Sequence, residues 1–304
     1  DGIGDNTDTD DGVWAYLNSG GEVTITGCSG TCPSELTLVS TVIGLPVVSV
    51  GDSAFSEQGL TSLVVPDGIT RLGASAFSDN QLSSVTIADS VIIIGDYAFF
   101  ENALLQSIQL PSNIESIGHA VFYNNALTSI NIPSSVVSIG DYAFRGNKLT
   151  NITIPDSVSR IGEFAFALNL ELTSAVLSSS LEKIELGAFY QSALSSIDIP
   201  SSVTSIGDYA FFENKALQDV QFSDGLLSIG YAAFYDNAIT SINMPDSIIS
   251  IGDYAFRGNK LINITLSDSI NNIGAYAFAA NSELVRASFL GDRPSFGDYP
   301  FSFN

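Results

Sequence analysis

The chain has 304 residues, of which 33 are Asp or Glu and 10 are Lys or Arg, so its formal net charge is −23 at pH 7. This charge excludes nucleic acid as a partner, because binding to a phosphate backbone requires Lys and Arg that displace condensed counterions. Apolar residues make up 45% of the chain, yet no run approaches the roughly 18 to 20 apolar residues of a membrane helix. We therefore expect no insertion into a membrane. Because the chain does not begin with Met, we interpret it as a mature or excised fragment.

Residues 1–12 are strongly acidic and begin with the run DGIGDNTDTDD. This run resembles the end of a thrombospondin type 3 calcium-binding repeat, in which oxygen ligands alternate along an extended backbone. Hard oxygen donors of the kind that Ca²⁺ prefers are present at Asp5, Asn6, Asp8 and Asp10. The alternative is a disordered acidic linker. No other cofactor is expected.

Residues 13–46 are predicted to form an N-terminal cap, with Trp14 and the alternating strand Val23–Ile25 on its apolar side. Cys28 and Cys32 are the only cysteines. A structural metal site normally takes four Cys or His ligands, and the remaining ligands are absent nearby. A local disulfide, which indicates an oxidising compartment, is the favoured interpretation. The alternative is a reduced pair with no role.

An I-G-x-x-A-F signature then returns along the chain at spacings of 22 or 23 residues. Its Phe residues are Phe55, Phe77, Phe99, Phe122, Phe144, Phe166, Phe189, Phe211, Phe234, Phe256, Phe278 and Phe301. Each unit carries an upstream L-x-x-I-x-I segment, in which Ile130 and Ile132 point inward and Asn131 points outward, so this segment is predicted to be a short strand. The following segment, such as Val136 to Phe144, is predicted to be an extended or short helical-turn side.

Asn recurs three residues after most of these Phe residues, and its amide is suited to satisfying backbone groups in a tight turn. We predict that stacked units align these side chains into a structural column. The members of the column are Asn80, Asn102, Asn125, Asn147, Asn169, Asn214, Asn237, Asn259 and Asn281.

The units resemble the BspA-type leucine-rich repeats of bacterial surface proteins. The run LTSINIPSSVVSIGDYAF, from Leu127 to Phe144, is close to the family consensus, and the resemblance covers residues 22–301. The family often has Cys where this chain has the Asn column, and the unit at Ile184–Gly187 lacks the I-G pair. The resemblance implies a secreted or surface-displayed bacterial binding protein, often an adhesin, with no catalytic residues.

One unit cannot bury its own apolar face, so neighbouring units must stack. We predict a repeat solenoid, a right-handed leucine-rich-repeat-like superhelix of about 12 coils, with short parallel strands on one side and extended or short helical turns on the other. The solenoid is predicted to span residues 47–304, with a C-terminal cap near 285–304. Segments of it repeat after 112 residues, since IGDYAFRGNKL occurs at both Ile139–Leu149 and Ile251–Leu261. Duplicated surfaces suit multivalent binding.

Sequence motifs for catalysis are missing. The single His, His119, takes the place of an Asp in other units, and its copy 112 residues later is Tyr231, so it is a poor candidate for a general base. No G-x-S-x-G, H-E-x-x-H or P-loop motif is present. We therefore predict that the protein is not an enzyme.

Two surfaces are candidates for binding. Outward positions of the predicted strands form a polar face that either engages a partner or merely permits close strand packing: Ser107, Gln109, Ser129, Asn131, Asn151, Thr153, Ser196, Asp198, Asp219, Gln221, Ser241, Asn243, Asn263 and Thr265. The I-G-D-Y-A-F turns supply Tyr97, Tyr142, Tyr209 and Tyr254. These rings either point outward as anchors for a protein or sugar or cover the seams between coils.

The predicted function is adhesion or recognition at the cell surface or after secretion, through a repetitive face that binds an extracellular protein or glycan. One alternative is a structural spacer that displays another domain of a larger surface protein. A further alternative is an ice-binding or glycan-processing accessory module. The sequence does not specify the oligomeric state.

Overall fold

The structure, a computed structural model, describes residues 13–291 and 294–304. Outside the described residues lie the candidate calcium ligands Asp5, Asn6, Asp8 and Asp10. The chain divides into two compact units, the first ending at Lys148 and the second beginning at Leu149. Each unit is a solenoid of stacked coils, which confirms the predicted fold class.

The first unit begins with a hairpin and continues as stacked short strands. Its strands are β1 (Trp14–Ser19), β2 (Glu22–Cys28), β3 (Glu35–Thr37), β4 (Thr41–Val42), β5 (Leu45–Val50), β6 (Ser62–Val65), β7 (Arg71–Leu72), β8 (Ser84–Ile87), β9 (Ile93–Ile94), β10 (Ser116–Ile117) and β11 (Ser138–Ile139). β1 and β2 are antiparallel, and β2 pairs in parallel with β5. The hairpin thereby covers the end of the first coil.

The second unit consists of parallel strands joined by turns. Its strands are β12 (Asn151–Thr153), β13 (Arg160–Ile161), β14 (Ser174–Val176), β15 (Lys183–Ile184), β16 (Ser196–Asp198), β17 (Ser205–Ile206), β18 (Asp219–Gln221), β19 (Ser228–Ile229), β20 (Ser250–Ile251), β21 (Asn263–Leu266), β22 (Asn272–Ile273), β23 (Arg286–Phe289) and β24 (Ser295–Phe296). Residues 13–291 and 294–304 contain no helix.

The coils have three sides: a long strand, a short strand and a turn. The L-x-x-I-x-I segment supplies the long strand, as in the parallel pair β6 and β8. The two residues that end at the Ile of the I-G pair supply the short strand, as in β17, β19 and β20, whose isoleucines lie in register. The side that was predicted to be extended or helical is therefore a short strand followed by a non-helical turn.

Pairs of left-handed residues keep the turn from becoming a helix. In each coil the residues two before and two after the repeated Phe have positive φ, as at Tyr97 (φ 60) and Glu101 (φ 56) around Phe99. This alternation turns the N–H groups of Tyr97, Phe99 and Glu101 toward the next coil, where they donate to backbone carbonyls. The turn is thus held by bonds between coils, whereas a helix would use bonds within its own segment.

The interior of each unit is a stack of the repeated Phe rings. Ring centroids from Phe55 to Phe144 lie 5.5 to 5.6 Å apart, and those from Phe166 to Phe301 lie 5.1 to 5.5 Å apart. The Trp14 ring meets Phe55 edge-on at 6.2 Å and closes the first stack. At the other end of the second stack, the rings of Phe289 and Phe296 meet Phe301 edge-on at 6.3 Å.

The Asn column is buried beside these stacks. Asn259 is typical, because its amide nitrogen donates to the carbonyl of Phe234 at 2.7 Å and to that of Phe256 at 3.0 Å. Its Oδ1 accepts the N–H of Ile239. These bonds join successive coils, which confirms the predicted structural role of the column.

Two departures from the repeat have a local explanation. Cys28 and Cys32 form the predicted disulfide, with a Cα separation of 5.5 Å, and it ties the end of β2 to the next loop. Gly187, where the I-G pair is lost, has φ 59, and a Cβ at this position would overlap the ring of Phe164. Glycine is therefore required both by the backbone conformation and by the neighbouring ring.

Candidate binding faces

The long-strand face carries the polar residues that were singled out as one candidate surface. All fourteen of these side chains are exposed. Several lie on paired strands, for example Ser196 and Asp198 on β16 and Asp219 and Gln221 on β18. Others lie on segments without strand pairing, namely Ser107, Gln109, Ser129, Asn131, Ser241 and Asn243.

The loss of strand pairing in the first unit opens a groove. Ser107, Gln109, Ser129 and Asn131 line this groove of about 630 Å³ together with Asp89. Polar side chains make up most of its lining, and Ile108, Leu110, Ile130 and Pro133 supply the rest. The sequence pattern placed these residues on one face but did not indicate that the face opens between them.

The turn face of the first unit carries rings that contact one another across the coils. The ring centroid of Tyr97 lies 5.0 Å from that of His119, and His119 lies 5.5 Å from Tyr142. Beside this row, Phe100 stacks on Tyr123 at 5.0 Å. His119 is half-buried between the two tyrosines, so it packs as an aromatic ring.

The turn face of the second unit repeats this arrangement. Tyr209 contacts Tyr231 at 5.1 Å, and Tyr231 contacts Tyr254 at 5.5 Å. In the adjacent row Phe212 stacks on Tyr235 at 5.0 Å. The pKa of Tyr231 is raised from its usual 10.0, first by desolvation and then by its neighbour Tyr209.

The turn tyrosines are packed against one another but are not fully buried. The rings cover the seams between coils, but Tyr97 remains 39% exposed and Tyr142, Tyr209 and Tyr254 are half-buried. Each ring therefore packs on its neighbours and remains partly exposed to solvent. The stacked Phe core lies beneath them and is filled by its own buried rings, without the tyrosines.

Arginine completes each aromatic row. The Cζ atom of Arg145 lies 5.7 Å from the ring centre of Tyr123 and 5.6 Å from that of Tyr142. Arg257 takes the same place after Tyr235. The sequence shows that the two arginines are copies 112 residues apart. It contains no local pattern that predicts their contacts with rings from other coils.

Aspartates on the turn face serve the backbone. The Oδ1 atom of Asp96 accepts the N–H of His119 at 2.8 Å, and that of Asp253 accepts the N–H of Ala275 at 2.7 Å. These hydrogen bonds join each coil to the next one.

Neither a metal site nor a membrane helix is found in the described part of the chain. Within the described residues, no three His, Cys, Asp or Glu side chains are grouped to hold a metal ion. That part of the chain also lacks a helix of the length and hydrophobicity needed to cross a membrane.

Solved structures with similar folds are leucine-rich repeat proteins. A leucine-rich repeat protein from Bacteroides ovatus is 25% identical, with a TM-score of 0.72, over 96% of this chain and 79% of the other. A leucine-rich cell surface protein from Faecalibacterium prausnitzii is 28% identical, with a TM-score of 0.55, over 95% of both chains. The pneumococcal vaccine antigen PcpA shares the fold, at 23% identity and a TM-score of 0.64, over 94% of this chain and 83% of its own. No curated protein matches the sequence.

The sequence also matches a family profile, the BspA type leucine-rich repeat region of six copies. The matches cover residues 32–148, 94–217, 137–260 and 206–304, and so leave only the N-terminal segment unmatched. The repeated signature, the stacked coils and this profile agree, and the chain belongs to the BspA-type leucine-rich repeat family.

Proposed function

We propose that this protein is an extracellular recognition module that binds its partner through the turn face of the second unit. The observation that carries this proposal is the continuous row of Tyr209, Tyr231 and Tyr254, which lies outside a core already filled by buried Phe rings. Partly exposed aromatic rings are typical anchors of interfaces and of sugar-binding sites. The leucine-rich repeat family consists mainly of protein-binding or adhesion-type modules and indicates no catalytic activity.

Two further observations support a location outside the cell. The Cys28–Cys32 disulfide is typical of proteins in oxidising compartments. The similar protein from Faecalibacterium prausnitzii is a cell surface protein. An N-terminal Ca²⁺ site at Asp5, Asn6, Asp8 and Asp10 would suit the same environment, and it remains a prediction.

The experiment is a binding screen against immobilised glycans and extracellular matrix proteins, with and without Ca²⁺. The test variant combines Tyr209→Gly and Tyr254→Gly. Both residues have positive φ, 56 and 59 respectively, so glycine removes the rings without straining the backbone. The control combines Gln221→Ser and Thr265→Ser on the exposed long-strand face of the same unit.

We expect the turn-face variant to bind its partner at least about tenfold more weakly, as for the loss of interface anchors, and the control to bind like the wild type. Weaker binding by the control alone would refute the turn face as the site. If the wild type binds no member of the panel, the recognition function is refuted and the spacer alternative is favoured.

A further inference from the structure

Arg257 is a cation held among aromatic rings. Its Cζ atom lies 5.6 Å from the ring centre of Tyr254, 5.8 Å from that of Tyr235 and 6.0 Å from that of Tyr276. The side chain is half-buried. Three rings from three successive coils thus fix the guanidinium in position, which lowers the entropy that it would lose on binding a ligand.

The guanidinium has unused hydrogen-bond donors. Among residues 13–291 and 294–304, no carboxylate forms an ion pair with Arg257 and no acceptor takes a hydrogen bond from its side chain. This is notable in a chain with 33 acidic residues. The nearby Asp253 uses Oδ1 to accept the N–H of Ala275. A guanidinium carries five N–H donors in a planar fork that matches a carboxylate.

The same arginine lines a shallow pocket of about 390 Å³. The rings of Tyr209, Tyr231, Tyr235 and Tyr254 form much of its wall. Their hydroxyls can exchange hydrogen bonds with the hydroxyls of a sugar, and the ring surfaces can contact its apolar C–H groups. The pocket therefore combines one fixed cation with neutral amphipathic groups.

We infer that this pocket, which we name the Arg257 pocket, binds an oligosaccharide that carries a single carboxylate among neutral sugars. The inference rests on the proposed function and specifies its ligand. The carboxylate forms the paired hydrogen bonds with the Arg257 guanidinium, and the neutral hydroxyls face the tyrosines. A ligand with one negative charge is favoured over an acidic peptide, because the net charge of −23 repels a polyanion.

The test is calorimetric titration of the full chain with sialyllactose, with the methyl ester of its carboxyl group, and with lactose. The reference protein and all its variants carry Arg145→Gln, so that the matching arginine of the first unit does not contribute to binding. We expect sialyllactose to bind at least about tenfold more tightly than the ester or lactose, as for a charge-assisted bidentate pair. Arg257→Gln should abolish this difference.

Lys260→Gln is the matched control, since it removes the same charge three residues away at an exposed position. It should leave the preference for the acid unchanged. Arg257→Lys should weaken binding although the charge is kept, because the planar fork is lost. Circular dichroism and unfolding midpoints verify that each variant is folded.

Equal binding of acid and ester, unchanged binding after Arg257→Gln, or preference for an oligoglutamate peptide over sialyllactose would each overturn the inference. If sialyllactose does not bind while the turn face still binds a protein or a neutral glycan, the inference is wrong and the proposed function stands. The preference for sialyllactose over its ester is measured on the protein that retains Arg257, so it tests the inference even if Arg257→Gln does not fold.

Discussion

The side-chain amide of Asn147 donates to the backbone carbonyl of Phe122, 2.7 Å away and 25 residues earlier in the chain. The same amide donates to the carbonyl of Phe144 at 3.0 Å, and its Oδ1 accepts the N–H of Leu127 at 3.1 Å. One buried side chain therefore satisfies three backbone groups that belong to two successive coils. Such groups are costly to leave unpaired away from water.

Replacement of Asn147 by Ala should lower the free energy of unfolding by about 3 kcal/mol, because each unpaired buried group costs roughly 1 to 3 kcal/mol and part of that cost is relieved by relaxation. Urea denaturation followed by circular dichroism measures the change. We expect a lower midpoint with a similar slope, because the surface exposed on unfolding does not change.

Asn125→Ala provides an internal comparison for this prediction. Asn125 donates to the carbonyls of Phe99 and Tyr123 at 3.0 and 3.3 Å, but its Oδ1 has no partner among the described residues. The N–H that would reach it, that of Leu105, instead donates to the carbonyl of Asn102. Asn125→Ala should therefore cost about 1 kcal/mol less than Asn147→Ala, and equal costs would contradict the role given to Oδ1.

The left-handed turn positions give a second prediction. Ser53 has φ 54 and is exposed, so its side chain contributes little beyond backbone strain. Ser53→Gly should raise the free energy of unfolding by about 0.5 kcal/mol, because relief of strain exceeds the entropy that glycine adds to the unfolded chain. Thermal or urea unfolding measures the sign of the change.

Two substitutions test whether the conformation is the cause. Lys148→Gly, at an exposed residue without positive φ, should be destabilising by about 0.5 to 1 kcal/mol. Gly146→Ala should also be destabilising, because Gly146 has φ 71 and a Cβ there would overlap the Oδ1 atom of Asn124. If Ser53→Gly and Lys148→Gly destabilise equally, backbone strain is not significant at Ser53.

The stacked architecture could be predicted because its determinants recur at a fixed spacing. The positions of Phe99 and Asn102 within their coil are enough to place both in a buried column, and the structure confirms this. The short strand was predicted only as an extended or short helical-turn segment, because its two residues, such as Ser116 and Ile117 of β10, are too few for an alternating pattern. The left-handed conformation of Tyr97 was missed because no Gly marks it, and it is maintained by hydrogen bonds to the next coil.

The candidate site was only partly predictable for a similar reason. The tyrosines of the turn face were identified from the repeat, because Tyr209 and Tyr254 occupy equivalent positions. The environment of Arg257 depends on rings from three different coils. Tyr254 lies three residues before Arg257 in the same coil, whereas Tyr235 and Tyr276 belong to the neighbouring coils. The distances from Arg257 to these two rings follow from the stacking of coils and not from a spacing within one coil.

The Cys28–Cys32 disulfide gives a third prediction, which concerns only the N-terminal hairpin. A cross-link over so short a segment is expected to contribute about 2 kcal/mol by restricting the unfolded chain. Replacement of both residues by Ser should increase amide hydrogen exchange in β1 and β2, while β17 to β20 of the second unit keep wild-type rates. Increased exchange throughout the chain would contradict this local role, and wild-type protein treated with a reductant should behave like the variant.

A fourth prediction concerns pH. Asp156 accepts hydrogen bonds at Oδ1 from both the N–H and the hydroxyl of Ser179, each at 2.8 Å. The pKa of Asp156 is therefore lowered from its usual 3.8, mainly by the backbone N–H. The folded state binds this proton less readily than the unfolded state, so the stabilisation is complete above the unfolded pKa and is lost as the pH falls through the lowered value.

Asp156→Asn should accordingly be less stable than the wild type at pH 7, and the difference should shrink as the pH falls below 3.8. Asp67→Asn is the matched control, because Asp67 also follows a Pro after a long strand but its carboxylate has no hydrogen bond among the described residues. Removal of a negative charge from a chain of net charge −23 relieves repulsion, and Asp67→Asn measures that general effect alone. If both variants shift the unfolding midpoint equally at pH 7, the bonds from Ser179 do not stabilise the fold, since charge relief would then account for the whole change.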